Sequence, residues 1–259
     1  MTLNFILKFK LLNVASSSIE EESERSVIER IQGGEFKNII VLTGAGVSTN
    51  AGIPDYRSPK GFFTELTAAF PDATRPELLL TRSFVAKHKV FEHPVYLEHC
   101  EVFKDAKPTP SHQFCKWLHD KGWLIRVYTQ NIDGLHHKVG LPEDKIVEFH
   151  GSLANNTVVL YDDPIPCAVI NQVQLDFNRD ELDLILVLGT SLKVQPFSSL
   201  PSQAPNCSKV LVDSDPKHFV GKQWRLSGPK YHFIVQDTDS WTEAVMKSDK
   251  KHKSVEVIA

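Results

Sequence analysis

The stretch Ile39-Ile40-Val41-Leu42-Thr43-Gly44-Ala45-Gly46-Val47-Ser48 decides the fold of this chain. Its first half is a continuous apolar run of strand length, which is typical of a strand buried on both faces of a sheet. The glycines that follow let the backbone approach a ligand closely, and the free amides at a helix start bind anionic oxygens. Thr49 stands where the strict dinucleotide-binding fingerprint has its third glycine, so a simple strand-to-helix turn explains this loop equally well.

Further apolar runs of strand length alternate with stretches of helical spacing. After the first strand, the predicted strands cover 124–128, 146–149, 184–188, 210–212 and 232–235. Helices are predicted before the first strand and between most strands, and a closing helix is predicted over 240–246. This order predicts an α/β fold with a Rossmann-like, mostly parallel sheet that is covered by helices on both faces. Such sheets bind ligands at the carboxyl ends of their strands.

The remaining segments set the limits of this domain. We expect a poorly ordered tail over 1–25, a folded domain over 26–246 and a polar tail over 247–259. Residues 60–108 contain four prolines and many aromatic rings but no clean strand. We therefore predict a helical insertion there.

The composition limits the classes of function. The chain has 259 residues, 41% of them hydrophobic, and its 29 basic and 32 acidic residues give a net charge of -3. No global positive charge indicates a nucleic-acid partner, and no apolar run reaches the length of a membrane span. The chain has neither a phosphate loop ending in Gly-Lys-Ser/Thr nor a G-x-S-x-G motif. This argues against P-loop nucleotide hydrolases and the common serine hydrolases.

Polar residues gather where the predicted strands end. GIPDYRS at 52–58 combines an acid, an aromatic ring and an arginine, and arginine pairs well with phosphate. TQNIDGLH at 129–136, HG at 150–151 and GTSL at 189–192 follow the next strands of the chain. The strand-end histidine is a candidate general base, because the pKa of imidazole lies near neutral pH. Taken alone, 52–58 is explained more simply as a structural loop with an Asp–Arg ion pair.

Together these motifs resemble those of the sirtuins, the NAD-dependent protein deacylases. GAGVS at 44–48 precedes the other four motifs in the order of that family, and the resemblance runs from about residue 37 to about residue 239. The residues in these motifs are most similar to those of the eukaryotic deacetylase branch. The resemblance implies a sirtuin-like catalytic domain over 26–246 that transfers the acetyl group of acetyl-lysine to ADP-ribose and releases nicotinamide.

The resemblance implies NAD as the cofactor and assigns residues to each part of it. Tyr56 stands where the family usually has a phenylalanine that caps the reactive sugar carbon, and Asp213 stands where it commonly has asparagine. The implied contacts are Gly44, Ala45, Gly46 and Ser48 for the pyrophosphate; Ile53, Asp55, Tyr56, Arg57, Gln130, Asn131 and Asp133 for the nicotinamide and its ribose; and Gly189, Thr190, Ser191, Asp213 and either Asp237 or Thr238 for the adenosine half.

The same resemblance implies that His150 is the general base. The acyl oxygen of the substrate lysine attacks the ribose carbon as nicotinamide leaves. His150 then takes the proton of a ribose hydroxyl, which attacks the former acyl carbon, and water completes the transfer. The main work of the protein is to hold these groups in a dry pocket.

Sirtuins usually carry a small zinc module directly after the HG motif. Two cysteine pairs of such a module lie about 15–20 residues apart. Here four residues separate Ser152 from Thr157, and Cys100, Cys115, Cys167 and Cys207 include no C-x-x-C pair. We therefore predict that no structural zinc binds and that 152–166 is a shortened remnant of the module. By resemblance, the contacts to the substrate peptide are Val158, Val159, Leu160 and Tyr161.

The shortened segment leaves alternatives open. One is an NAD hydrolase or ADP-ribosyltransferase that uses the same pocket, and another is a catalytically weak, NAD-binding regulatory protein. For the deacetylase, the partners are acetylated proteins that pair through their backbone, with no nucleic acid and no membrane. We expect an intracellular location, with nucleus, cytoplasm and mitochondrion all compatible, and the sequence does not specify the oligomeric state.

Overall fold

A computed structural model of the chain describes residues 24–218 and 231–253. Residues 24–32 form helix α1, and the chain turns after it at Gly34, which has a φ of 71°. All but the last two positions of the predicted tail over 1–25 lie outside the described residues, and those two belong to α1. The helix predicted before the first strand is therefore confirmed, and it ends at the pair Gly33-Gly34.

Six parallel strands form one sheet. They are β1 (Ile39–Thr43), β2 (Leu124–Thr129), β3 (Ile146–Glu148), β4 (Leu184–Leu188), β5 (Ser208–Asp213) and β6 (Tyr231–Val235). Their order across the sheet is β3-β2-β1-β4-β5-β6, and each neighbouring pair is parallel. The predicted α/β class and the predicted strands are confirmed to within one or two residues. The chain order reverses on the two sides of β1, so the carboxyl end of β1 is the switch point where such sheets form a crevice.

Helices cover both faces of the sheet. They are α2 (Phe62–Ala69), α3 (Arg82–His88), α4 (Pro94–Asp105), α5 (Pro110–Asp120), α6 (Leu135–Lys138), α7 (Cys167–Phe177) and α8 (Thr238–Lys253). The alternating residues of β1 divide between two cores: Ile39 and Val41 pack with α1, α5 and α8, and Ile40 and Leu42 pack with α7. Each such buried side chain stabilises the fold by about 1.5–3 kcal/mol. Of the described helices, none is both long and apolar enough to cross a membrane.

The closing helix is longer than predicted. It covers Thr238–Lys253 instead of 240–246, so the first part of the predicted polar tail over 247–259 is helical. Asp237 caps its first turn by accepting a hydrogen bond from the amide of Ser240 at 2.9 Å. Its last turns are polar residues without apolar periodicity. Because they lack that periodicity, the hydrophobic pattern did not predict them, and the helix propensity of their residues supports them instead.

The predicted helical insertion is confirmed, whereas the segment after β3 contains neither helix nor strand. Helices α2, α3 and α4 share an aromatic core of their own that includes Phe62 and Phe63. Residues 157–160 belong to no helix and to no strand ladder. The Val159 amide donates to the His150 carbonyl at 2.9 Å, and the Tyr161 amide donates to a carbonyl of the insertion at 3.0 Å.

Two buried histidines lie beneath the carboxyl end of β1. The rings of His112 and His136 are 4.6 Å apart. His136 Nε2 lies 3.0 Å from Thr43 Oγ1, and His112 Nδ1 accepts a hydrogen bond from the Thr109 amide. Burial lowers the pKa of His112 to about 4 and lowers that of His136 well below its usual value. Both rings are therefore neutral at physiological pH.

Acidification is expected to destabilise the fold through these two histidines. Their pKa is lower in the folded than in the unfolded chain, so the unfolded chain binds more protons below an unfolded pKa of about 6.5. Stability is complete above that pH and falls towards pH 4, by up to about 1.4 kcal/mol per pH unit for each ring. Urea unfolding at several pH values measures this, and a free energy of unfolding that stays constant from about pH 7.5 to about 5 contradicts it.

Candidate functional site

A cavity of about 630 Å³ lies at the carboxyl ends of the strands. Residues that follow each of the six strands line it, and the helical insertion and the segment after β3 add further walls. Of the predicted site residues, the lining includes Ala45, Gly46, Asp55, Tyr56, Arg57, Gln130, Asn131, His150, Val158, Val159, Leu160, Tyr161, Gly189, Thr190, Ser191, Asp213 and Asp237. Gly44, Ser48 and Ile53, which are buried, and the half-buried Asp133 are not in the lining.

The glycines of the first loop are required by a contact within the protein. The Gly46 amide donates to the Gly189 carbonyl at 2.8 Å. A Cβ atom at Gly46 would lie 2.7 Å from the Cα atom of Gly189, and one at Gly44 would lie 2.5 Å from Thr190 Cβ. Gly189 itself has a φ of 59°. The loops after β1 and β4 therefore touch, which only residues without side chains allow.

A buried hydrogen-bond network orients Asn131 in the cavity wall. The Ser48 hydroxyl, which is 1% exposed, donates to Asp133 Oδ2 at 2.7 Å. Asn131 Nδ2 donates to Ser48 Oγ and to the Gly44 carbonyl, both at 3.0 Å. The predicted contact of Ser48 with pyrophosphate does not follow from this placement, because its hydroxyl already binds two partners behind the cavity. Ser48 and Asp133 instead position Asn131.

Gln130 presents an unused hydrogen-bond donor. Its Oε1 accepts from the Thr190 hydroxyl at 3.0 Å, which fixes the orientation of the amide. Its Nε2 is buried and has no partner. A buried donor without a partner is costly, so a ligand oxygen in this cavity would satisfy it.

His150 is held as a neutral base at the end of β3. Its Nδ1 lies 3.1 Å from the Gln130 carbonyl oxygen, which can only accept, so Nδ1 carries the proton and Nε2 keeps its lone pair. Burial lowers the pKa of the ring. Gly151 has a φ of 73°, and a Cβ atom there would lie 1.9 Å from the Thr157 carbonyl oxygen. The HG motif thus sets both the tautomer of the base and the turn after it.

Two carboxylates line the cavity at the carboxyl ends of β5 and β6, those of Asp213 and Asp237. Asp213 accepts from the amide of Asp215 at 2.9 Å, and its Oδ1 lies 3.0 Å from His218 Nδ1. Asp237, the cap of α8, also accepts from Asn50 Nδ2 at 3.1 Å. Both carboxylates are oriented by local hydrogen bonds and line the cavity. Carboxylates in such positions accept hydrogen bonds from ribose hydroxyls.

The expected ion pair within 52–58 is not formed. Asp55 Oδ1 accepts from the amides of Arg57 at 3.0 Å and Ser58 at 2.8 Å, and so holds the loop itself. The Arg57 guanidinium instead donates to Glu77 at 3.3 Å and to the Tyr161 hydroxyl at 3.0 Å. The simpler interpretation of this motif was wrong, because its arginine joins the insertion to the segment after β3.

Comparison with known proteins places this arrangement in a family. Residues 44–159 match the Sir2 family. The NAD-dependent protein deacetylase hst2 of Schizosaccharomyces pombe is 31% identical over 272 residues, which cover 89% of this chain and 78% of that protein. The chain belongs to the Sir2 family. The sirtuin resemblance is therefore confirmed.

Other Sir2 relatives extend beyond the matched region. The NAD-dependent deacetylase sir2A of Dictyostelium discoideum is 34% identical over 251 residues, covering 79% of this chain and 48% of that protein. NAD-dependent protein deacetylase sirtuin-2 of Danio rerio is 31% identical over 244 residues, covering 79% of this chain and 62% of that protein. The chain thus spans about half to three fifths of these two relatives.

The fold is also that of a solved Sir2 structure. A chain from a structural study of the mechanism and regulation of Sir2 enzymes superposes with a TM-score of 0.70 at 22% identity, covering 89% of this chain and 99% of that one. At this identity the likeness supports the fold alone.

In this Sir2 chain, the segment after β3 is fastened to the insertion by a clasp, defined here as Arg82 with Asp162 and Asp163. The Arg82 amide donates to Asp162 Oδ1 at 2.7 Å, and its guanidinium binds both oxygens of Asp163. Asp163 also accepts from the Leu160 amide at 3.0 Å. Asp162 and Asp163 therefore hold this part of the cavity wall against the insertion.

Sequence analysis missed one wall of the cavity. Tyr96, His99, Cys100 and Phe103 lie on one face of α4, and all four line the cavity. Their spacing of three, four and seven residues was the available signal. It was not recognised, because no motif marks the insertion.

Substitution of Ser48 tests the network behind the cavity. Ser48→Ala leaves the Asp133 carboxylate and the Asn131 amide each without one partner, so NAD affinity should fall by about 10-fold and the free energy of unfolding by about 1–2 kcal/mol. Equilibrium dialysis with NAD and urea unfolding measure the two effects. Ser83→Ala, an exposed serine of α3, is the matched control and should change neither. Unchanged NAD affinity in Ser48→Ala contradicts the positioning role.

Proposed function

We propose that this Sir2-family chain is an NAD-dependent protein-lysine deacetylase. The proposal rests on one observation: two groups that such a reaction needs line the same cavity. They are a neutral His150, whose Nε2 lone pair is available, and the unused donor of Gln130. NAD, when bound, supplies the ADP-ribose that accepts the acetyl group and the nicotinamide that leaves. Gln130 and His150 suit the nicotinamide-bearing ribose of NAD, and the carboxylates of Asp213 and Asp237 suit its adenosine half.

Each lining group has a defined task in this proposal. The backbone around Gly46 and Gly189, where no side chain intervenes, holds the pyrophosphate. Gln130 Nε2 donates to a ribose oxygen, and Asp213 accepts from the ribose hydroxyls of the adenosine half. Asn131, held by Ser48, orients the nicotinamide half of NAD. These contacts are our proposal for the cofactor-binding residues, together with the loop of Asp55, Tyr56 and Arg57.

His150 moves the proton. Its Nε2 accepts the proton of a ribose hydroxyl, which makes that oxygen a nucleophile towards the acyl carbon. Since burial lowers its pKa, the ring is deprotonated and ready at physiological pH. The ring of Phe149 lies 5.8 Å from the imidazole and that of Phe197 6.4 Å, and these neighbours keep water away.

The peptide side of the cleft favours a second candidate, an NAD hydrolase. The amides of Thr157, Val159, Leu160 and Tyr161 already donate to acceptors within the chain. A substrate backbone therefore finds few free donors on this segment, although Val158, Val159, Leu160 and Tyr161 line the cavity. If peptides bind weakly, water takes the place of the acyl oxygen and NAD is hydrolysed to ADP-ribose and nicotinamide; where a nucleophilic side chain of another protein takes that place instead, ADP-ribose is transferred to it.

One assay separates the candidates. The chain is incubated with NAD, with and without an acetyl-lysine peptide, and nicotinamide and O-acetyl-ADP-ribose are quantified. Nicotinamide release that depends on the peptide supports the deacetylase, and release that is independent of it supports NAD hydrolysis or ADP-ribosyl transfer. Binding of NAD without turnover supports the catalytically weak regulatory protein.

Substitution of the base gives a sharper prediction. His150→Ala should retain NAD binding while deacetylation falls by about 10²- to 10⁴-fold, because proton transfer is lost and the remaining lining is unchanged. His88→Ala, a histidine of α3 outside the cavity lining, is the control. Deacetylation at the wild-type rate in His150→Ala removes this residue from the mechanism.

We further propose that the chain needs no structural zinc. Within residues 24–218 and 231–253, no group of three or more histidine, cysteine, aspartate and glutamate side chains is placed to hold a metal. The clasp performs the fastening that a metal module would otherwise supply. Elemental analysis of the purified full chain should find well below one zinc per chain, and one equivalent would refute this proposal.

The partners and setting follow from the same proposal. The substrates are acetylated proteins, bound through their backbone, with neither nucleic acid nor membrane involved. The four cysteines are all free thiols, which suits a reducing compartment of the nucleus, cytoplasm or mitochondrion.

A further inference from the structure

One wall of the cavity is formed by a single helix face. This α4 wall consists of Tyr96, His99, Cys100 and Phe103, which recur at helical spacing and all line the cavity. None of the four carries a formal charge at neutral pH. The wall is therefore uncharged: the Tyr96 hydroxyl is already engaged with Cys100, whereas the imidazole of His99 keeps an unpartnered nitrogen.

His99 is held rigidly among aromatic rings. Its imidazole stacks on Phe62 at 3.9 Å and meets the rings of Phe103 at 5.1 Å and Tyr56 at 6.2 Å. The residue is only 7% exposed, and burial lowers its pKa to about 4. The ring is thus neutral, and its orientation is set by its neighbours.

The Nε2 atom of His99 has no hydrogen-bond partner. A buried polar atom without a partner destabilises a fold, and an aromatic hydrocarbon of the same shape would pack here at no such cost. His88 of α3 shows the contrast, since it also stacks on a phenylalanine ring, at 4.1 Å, but does not line the cavity. His99 lines the cavity, so a ligand bound there lies next to the ring that carries this unpartnered atom.

The chemistry of this wall selects the ligand group. A carboxylate placed against it would be desolvated without a cation on the α4 wall to pair with. A plain alkyl group would leave Nε2 unpartnered. A hydroxyl both donates and accepts, so it satisfies a neutral imidazole nitrogen in either tautomer.

We propose that His99 is a specificity-determining residue whose Nε2 binds a hydroxyl on the outer part of the acyl group, so that hydroxyacyl-lysine is preferred over the unsubstituted acyl-lysine of the same length. This inference rests on the proposed deacylase function and extends its substrate class beyond acetyl-lysine. An acetyl group carries no such hydroxyl and gains nothing from His99.

The test compares labelled peptides that carry butyryl-, 3-hydroxybutyryl-, 4-hydroxybutyryl- or acetyl-lysine. Binding is measured by fluorescence anisotropy and turnover as kcat/KM, for the wild type, His99→Phe and the control His88→Phe. At least one hydroxybutyryl peptide should bind the wild type about threefold to tenfold more tightly than the butyryl peptide. His99→Phe should abolish this preference without lowering the melting temperature, and His88→Phe, outside the cavity lining, should retain both the preference and acetyl-lysine turnover.

The outcomes are distinguishable. Equal binding of butyryl and both hydroxybutyryl peptides to the wild type, or an unchanged preference in His99→Phe, overturns the inference while acetyl-lysine turnover leaves the proposed function standing. A preference in binding that depends on His99, without turnover of any peptide, supports the inference on recognition and removes the deacylase reaction.

Discussion

The contact between the loops after β1 and β4 is the constraint on which the site depends. Gly46 and Gly189 meet backbone to backbone, and the Gly46 amide hydrogen-bonds across the contact. Since β1 is central in the sheet, this contact fixes the floor of the crevice at the switch point. Any side chain at Gly46 would force the loops apart and widen the cavity that they line.

A layer of buried polar groups supports that floor. Asn131 is fixed by Ser48 and the Gly44 carbonyl, and Thr43 at the end of β1 contacts His136, whose neutral ring packs against that of His112. Such networks are rigid because every broken hydrogen bond leaves a buried group without a partner. This layer at the carboxyl end of β1 therefore contains both the groups that orient Asn131 and the histidines that make the fold sensitive to acid. The protonation state that holds the site together is also the one that leaves His150 able to accept a proton.

Sequence reasoning identified the sheet and most of the polar residues that follow its strands into the cavity, because both produce local signals. The apolar run of β1 and the polar residues directly after each strand are adjacent in the chain, and parallel strands bring their carboxyl ends to one edge. It did not reveal the protein partners of Arg57, because Glu77 and Tyr161 lie far from it along the chain. It also overlooked the α4 wall and the clasp, because contacts between an insertion and a shortened segment have no spacing rule. Ser48 was predicted to touch a ligand, and only the geometry revealed that its hydroxyl faces Asp133.

The central claim is that the cavity around the Gly46–Gly189 contact holds NAD with His150 beside the sugar that bears nicotinamide. A crystal structure of the chain in complex with NAD tests this most directly. We expect the pyrophosphate against the Gly46 and Gly189 backbone and His150 Nε2 within hydrogen-bond distance of that ribose. A dinucleotide bound elsewhere, or a His150 ring directed away from the ribose, contradicts the account.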